Sequence, residues 1–280
     1  MLLLGDCLEQ MRKVPDNSID LVITSPPYAM QRKDTYGGIE EGAYPAWMEE
    51  IGKEIHRILK PTGNFVLNIK ENSKNGTRST YVMETVILLS KVFMWKDTYI
   101  WHKRNPFPTG SNRRLKDAFE YCYWFTKSGE YKFFPEHVLE KSNSKYTESE
   151  KRRKNRFSHV CKNGSGFKMN MRSAPDMVRP SNVITLTTDN ENHVHPATFP
   201  VRLPQFFIKL MTEQGDTVLD PFMGSGTSGV AAAMENREFI GIEIQDKYME
   251  IARDRIQKQR DKGYQENIFD HMRKEGKPNG

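Results

Sequence analysis

The chain has 280 residues, 37% of them apolar and 11% aromatic, with 42 Lys+Arg against 36 Asp+Glu for a net charge of +6. That composition is enough for a packed core and excludes wholesale disorder, and no run approaches the roughly 18 apolar residues of a membrane helix. The opening Met1–Asp6 lacks the basic stretch of a secretory signal, and three scattered cysteines (Cys7, Cys122, Cys161) exclude a disulfide scaffold or a zinc ribbon, which points to a soluble protein of a reducing compartment.

Short apolar runs predict seven strands, the first two at Leu2–Leu4 and Asp20–Thr24. A helix follows: Tyr44, Trp47, Met48, Ile51, Ile55, Ile58 and Leu59 form one stripe that stops before Pro61. Strands at Asn64–Ile69, Thr98–His102 and Phe119–Thr126 come next, with a helix over 80–93 between the first two. Helices over 201–212, 227–236 and 247–258 alternate with strands at Thr217–Leu219 and Glu238–Glu243, and Asp246 stands where it can cap the last helix. Several strands lack polar alternation, as expected when helices cover both faces. The pattern gives an α/β fold with a sheet of about seven mostly parallel strands. After Gly263 the apolar period is lost, and the tail 263–280 is expected to fray.

The charge is concentrated. Between Lys141 and Pro180 stand eleven basic and three acidic residues, so this segment is +8 and the rest of the chain is about −2. Such a run is either a solvated charged loop or a surface that neutralises nucleic-acid phosphates. Phe157, Phe167, Met169 and Met171 among the cations favour a surface that orders against a partner.

Near the carboxy end, Asp220-Pro221-Phe222-Met-Gly224-Ser225-Gly226-Thr227 joins a strand to an alanine-rich helix, and Glu243 ends the next strand. Glycines let the backbone approach a ligand at a helix amino terminus, and an acid on the following strand can bind ribose hydroxyls. The stretch is neither GxGxxG nor a lysine-bearing phosphate loop. An acid at Asp220 repels phosphate but can hold an ammonium, so the ligand suggested is a ribonucleoside bearing an amino acid. S-adenosylmethionine fits.

The second informative stretch is Thr24-Ser25-Pro26-Pro27-Tyr28, where a buried strand ends in two prolines. They fix two φ angles and leave a rigid lip presenting the Ser25 hydroxyl, two carbonyls and an aromatic face.

Together, Ser25-Pro26-Pro27-Tyr28 and Asp220–Thr227 resemble the DNA amino-methyltransferases that modify exocyclic amines. With the tetrapeptide first and the cofactor motif last, the order resembles their permuted β class. Gly5-Asp6, Leu59–Gly63, Trp101–Pro106, Phe119–Lys127 and His195–Pro200 also resemble family segments, so the likeness covers nearly the whole chain. It implies a Rossmann-like methyltransferase fold in which 1–134 and 196–262 form the catalytic and cofactor-binding domain. The basic insert 135–195 would read double-stranded DNA.

The resemblance assigns roles residue by residue. Asp6 would meet the cofactor adenine, Glu243 the ribose, and Asp220, Pro221, Phe222, Gly224, Ser225, Gly226 and Thr227 the methionine and sugar, with Thr24 packed beneath. Asp6 has a rival reading as a turn residue after Gly5. Ser25 and the Pro26 carbonyl would accept from the target amine, Pro27 would stiffen the lip, and Tyr28 would receive the flipped base. Lys151, Arg152, Arg153, Lys154 and Arg156, with Lys103, Arg113 and Arg114, are the candidate phosphate partners. Ser before Pro-Pro favours cytosine N4 over adenine N6, which stays open as the alternative.

Cytosine C5 methylation needs a thiolate after proline, and no Pro-Cys occurs. His193 and His195 lack a third ligand at useful spacing, so no metal is expected. An RNA or protein N-methyltransferase usually carries the cofactor motif first, and a dead DNA-binding module would have lost these motifs. The expected setting is prokaryotic, cytoplasmic and nucleoid-associated, as monomer or homodimer, with room for a companion restriction endonuclease.

Overall fold

The computed structural model describes residues 1–30, 38–74, 76–106, 114–142, 176–187 and 199–275, with side chains described as far as 263. The chain divides into two compact units, one of Met1–Phe134 with Asn182–Gly280 and one of Pro135–Ser181.

The larger unit is an eight-stranded sheet flanked by helices. In chain order its main elements are β1 (Leu2–Leu4), α1 (Cys7–Met11), β2 (Ile19–Thr24), α2 (Tyr44–Ile58) and β3 (Leu59–Ile69). A small hairpin, β4 (Ser73–Lys74) and β5 (Thr77–Arg78), leads to α3 (Tyr81–Leu89), β6 (Met94–Lys103) and β7 (Phe119–Thr126). In the smaller unit, a 3₁₀ turn at Pro135–Val138 precedes the antiparallel pair β8 (Glu140–Lys141) and β9 (Met177–Val178). The larger unit resumes with β10 (Val183–Leu186), α4 (Arg202–Met211), β11 (Thr217–Asp220), α5 (Thr227–Met234), β12 (Glu238–Glu243) and α6 (Asp246–Glu275).

The strand order is β1-β12-β11-β2-β3-β7-β6-β10, and β7 alone runs against its neighbours. All seven strands expected from the sequence are present. The eighth, β10, extends the edge beside β6, within the span 135–195 set aside as an insert. The last helix runs well beyond the expected 247–258: α6 continues to Glu275, into the span 263–280 expected to fray.

Every residue of β2 is buried. Alternation splits the sheet residues between two faces: Val22, Phe65, Leu67, Leu219 and Ile242 join the core beneath α1, α2 and α3. The opposite face carries α4, α5 and α6. α2 forms where its apolar stripe and Pro45 in the first turn predict, and its end passes directly into extended Leu59.

Asp20, at the start of β2, ties the amino ends of the strands together. It accepts from Lys60 Nζ at 2.7 Å, Lys132 Nζ at 3.1 Å and the Thr217 amide at 3.0 Å. Burial pushes its carboxyl up, but the lysines and the amide together hold it below the usual carboxylate range.

Candidate functional site

The carboxyl ends of β1, β12, β11, β2 and β3 lie along one rim of the sheet, where ligands bind in open α/β folds. Because β7 is antiparallel, its first residues reach the same rim, where Tyr121 stands opposite Ile69. Lys103 closes the rim at the end of β6.

The two motif loops meet there. β2 and β11 are neighbours, with Leu21 opposite Val218 and Val22 opposite Leu219. At their ends the Thr24 hydroxyl donates to Asp220 Oδ1 at 2.6 Å, across 196 residues of chain. Asp220 also accepts from the Phe222 amide at 3.0 Å and from Ser228 Oγ at 2.6 Å. Its carboxyl is 2% exposed, and burial pushes it up to about 6 against those three donors. The expectation that this acid faces a ligand ammonium is therefore corrected: the carboxylate turns inward, and donors from two strand ends and α5 hold it there.

The glycine loop is pinned from three sides. Phe222 packs on Trp47 of α2, ring centroids 5.5 Å apart. Gly226 adopts φ +82°, and a Cβ there would lie 2.8 Å from Ala252 Cβ on α6, so glycine is needed for packing as well as conformation. Arg255 Nη1 donates to the Ser225 carbonyl at 2.6 Å and to Ser225 Oγ at 2.9 Å, with Thr227 Oγ1 at 3.5 Å. The Ser225 and Thr227 hydroxyls thus face α6, which leaves backbone amides and the helix amino terminus as the loop's means of meeting a ligand.

Glu243 ends β12 beside this loop, accepting from the Gly224 amide at 2.9 Å and the Gln245 amide at 2.8 Å. A carboxylate offers about four acceptor positions, so hydroxyl donors can share it with amides. Asp6 lies two residues past β1, whose Leu4 pairs with Glu243. It caps α1, a helix the sequence reading did not foresee, with Oδ1 accepting from the Leu8 and Glu9 amides at 2.9 and 3.1 Å. Asp6 thus serves as a helix cap, and its exposed position at the rim is compatible with a ligand contact too.

On the other side of Thr24, Pro26 is buried while Ser25, Pro27 and Tyr28 are half-buried. Tyr28 donates to Glu120 Oε2 at 2.8 Å, and Lys103 donates to Glu120 Oε1 at 2.5 Å. Lys103 also sits over the Trp101 ring, 4.7 Å from its centroid. A carboxylate and a ring thus hold the ammonium that the sequence offered to a phosphate. Arg114, the other described candidate for a phosphate, pairs with Asp117 at 2.8 Å, which Lys70 and Arg78 share. Arg113, Lys151, Arg152, Arg153, Lys154, Arg156, His193 and His195 lie outside the described residues.

A family model described as DNA methylase, for the N6 and N4 enzymes, matches residues 19–254. The chain belongs to this family. Among relatives, the type II methyltransferase M.PvuII of Proteus hauseri is 30% identical over 273 residues, covering 88% of this chain and 80% of that protein. The orphan methyltransferase M.BamHII of Bacillus amyloliquefaciens is 31% identical over 277 residues, covering 94% and 95%. Among solved structures, the cytosine-N4-specific PvuII DNA methyltransferase superposes with a TM-score of 0.70 at 28% identity, over 91% of this chain and 85% of that one. M1.HpyAVI, solved with S-adenosylmethionine, shares the fold with a TM-score of 0.58 at 23% identity, over 91% and 98%.

The protein is thus a DNA methyltransferase of the α/β methyltransferase fold, dependent on S-adenosylmethionine, with the tetrapeptide half preceding the cofactor half. Its residues fit that cofactor: a glycine loop opens a helix, an acid ends the next strand, and no lysine stands in the loop to meet a phosphate. Among the described residues no cluster of three metal-ligating side chains occurs, and no helix is long and apolar enough to cross a membrane. Sequence reasoning missed Arg255 and Ser228, and it named Trp47 only within the apolar stripe of α2 and Glu120 only within a family segment.

Proposed function

We propose that this methyltransferase modifies the exocyclic N4 amine of cytosine in duplex DNA, with the base flipped out of the helix. The observation that carries the reading is the Thr24–Asp220 hydrogen bond, which joins an amine-accepting lip to a cofactor loop in one rim. The choice of base rests on Ser25 before Pro-Pro and on the PvuII relative, described as cytosine-N4-specific.

In this reading Ser25 Oγ and the Pro26 carbonyl accept from the amine, opposing delocalisation of its lone pair and stabilising the positive charge that grows on nitrogen. Pro27 stiffens the lip, and the Tyr28 ring receives the flipped base, which repays part of the few kcal/mol that unstacking costs. S-adenosylmethionine supplies a methyl group on a sulfonium, a leaving group that needs no acid. The Gly224–Thr227 backbone, with Pro221 and Phe222, holds the methionine and sugar. Glu243 takes the ribose and Asp6 the adenine amine, while Thr24 and Asp220 fix the spacing of the two loops. Alignment of amine and methyl is the larger contribution, since neither Ser25 nor Pro26 is a strong base.

The basic run around Lys151–Lys154 and Arg156 tracks phosphates, within a recognition insert 135–195 set between the catalytic parts 1–134 and 196–262. A cytoplasmic setting on the nucleoid, with a companion endonuclease, agrees with type II relatives. Mass spectrometry of nucleosides from DNA incubated with the protein and labelled cofactor tests the reading. N4-methylcytosine supports it, N6-methyladenine transfers it to the other amine of the family, and no methylated nucleoside refutes it.

A further inference from the structure

Beside the lip, three cations converge on one carboxylate. Lys70 follows the last residue of β3, Arg78 ends the β4–β5 hairpin, and Arg114 and Asp117 lie on the segment that leads into β7. Asp117 Oδ1 accepts from Arg78 Nη2 and from Arg114 Nη2, each at 2.8 Å, and Lys70 Nζ stands 3.2 Å from Oδ2. Glu71, 8% exposed, steadies the other end of Arg78, its Oε2 3.3 Å from Nη1. Two links tie this group to the lip. The Asn72 side-chain amide donates to the Ala29 carbonyl at 2.5 Å, and Asp117 stands shortly before Glu120, which holds the Tyr28 phenol. The group therefore flanks the lip on the β3 and β7 side, whereas the cofactor loop lies on the β11 side.

One cation is enough to neutralise one carboxylate. Burial pushes the Asp117 carboxyl up, yet Lys70, Arg78 and Arg114 together hold it below the usual carboxylate range. A knot that only fastened the hairpin to the β7 segment would gain little from the second and third cations, because partly exposed pairs are weak and the cations repel one another. The arrangement suits another anion. A phosphodiester carries one negative charge on two terminal oxygens, as a carboxylate does, and guanidinium forks fit both. The Arg78 side chain keeps 41% of its surface exposed. Residues 114–118 lie outside any helix or strand, so Asp117 can be displaced without breaking one.

A nucleotide turned out of a duplex stays joined to the phosphate on either side, and those phosphates remain at the mouth of the pocket that receives the base. Contacts to them fix the register of a protein on DNA. We propose that Lys70, Arg78 and Arg114 bind a backbone phosphate next to the flipped nucleotide, and that Asp117 holds its place in the free protein. This rests on the reading that Ser25–Tyr28 receives the base. Arrival of DNA then exchanges one anion for another in a cluster already shaped for it, so the three cations need little reordering. Displacing Asp117 weakens binding, and that cost sets the sign of the test.

The test measures affinity for genomic DNA amplified in vitro, as a function of salt. It compares Asp117→Asn, the triple variant Lys70→Gln, Arg78→Gln, Arg114→Gln, and all four changes together. Asp117→Asn is expected to tighten binding roughly two- to fivefold, the range of a partly exposed ion pair. The triple variant should weaken binding and shallow the salt slope by roughly 0.9 for the phosphate it releases. It should also remove most of the gain from Asp117→Asn, because the two changes act on one cluster. Unchanged or weaker binding by Asp117→Asn, or an equal gain with and without the three cations, overturns the proposal. The triple variant decides the matter even if Asp117→Asn unfolds: a salt slope that does not move refutes the site. Turnover of Ser25→Ala and Tyr28→Ala is read alongside. If both keep the wild-type rate, the lip is misplaced and the proposal falls with it, whatever the slope. If both lose turnover while the slope and the affinities stay as in the wild type, the phosphate site alone fails.

Discussion

Thr24→Val removes one hydroxyl at nearly constant shape and tests the junction of the two loops. Thr24 is fully buried and supplies one of three hydrogen bonds to a carboxylate that is 2% exposed. Hydrogen bonds to charged groups contribute about 1.5–3 kcal/mol, so the variant should lose about that much at pH 8, or roughly 3–10 °C in Tm. The loss should depend on pH in a defined sense. Asp220 titrates near 6 in the folded protein, above its unfolded value, so the stability tied to its protonation is fully present at low pH and disappears as pH rises through 6. Without the Thr24 donor that folded value rises further. A protonated carboxyl needs fewer donors, so the gap between variant and wild type should nearly close at pH 5. Urea unfolding of both proteins at pH 5 and pH 8 measures it, and other titrating groups cancel in the difference. An equal gap at both pH values would refute the claim that Thr24 stabilises an ionised Asp220.

Ser25→Ala or Tyr28→Ala should retain cofactor binding and lose most turnover, read as labelled methyl incorporation; normal methylation by both removes the lip from the chemistry. Glu243→Ala should weaken cofactor binding roughly 10- to 100-fold by calorimetry, since it removes a charged acceptor from ligand and loop alike, and an unchanged dissociation constant counts against the ribose assignment. Asp20→Asn should destabilise by about 2–3 kcal/mol, less than a fully buried pair because Lys60 and Lys132 stay partly exposed. Asp20 titrates below its unfolded value, so its contribution is present at neutral pH and lost as pH falls through that lowered folded value; a deficit that does not shrink at all on acidification contradicts this. Neutralising Lys151, Arg152, Arg153 and Lys154 should weaken DNA binding and shallow its salt slope by roughly 0.9 for every phosphate that is no longer neutralised, and a slope that does not move excludes those four cations from the interface.

The sequence made the frame legible because both periodicities are strong where helices cover both faces of the sheet. The uniform burial of β2 and the single stripe of α2 are what Leu21-Val-Ile and Tyr44–Ile58 spell out. β10 was missed because only its alternate residues are part-buried, at an edge and beside a charged run. α1 is one short turn built on the Asp6 cap, below the length at which a period can be read. The motif residues were found, but not the directions of their side chains. A buried Asp220, hydroxyls turned toward Arg255, and Lys103 locked onto Glu120 all depend on neighbours brought in by pairing, which one-dimensional spacing does not encode. Arg255 gave no local sign at all, being one cation on a helix otherwise charged along its length.

One consequence of the β2–β11 neighbourhood concerns the stretch of chain that separates them. The two loops are registered through adjacent backbones, so their spacing is indifferent to how much polypeptide intervenes or which half is synthesised first. Segments between Phe134 and Asn182 are therefore open to lengthening, shortening or wholesale exchange with little effect on the catalytic geometry. If the segment reads DNA as proposed, a lineage built this way can alter what it selects while its reaction centre stays constant.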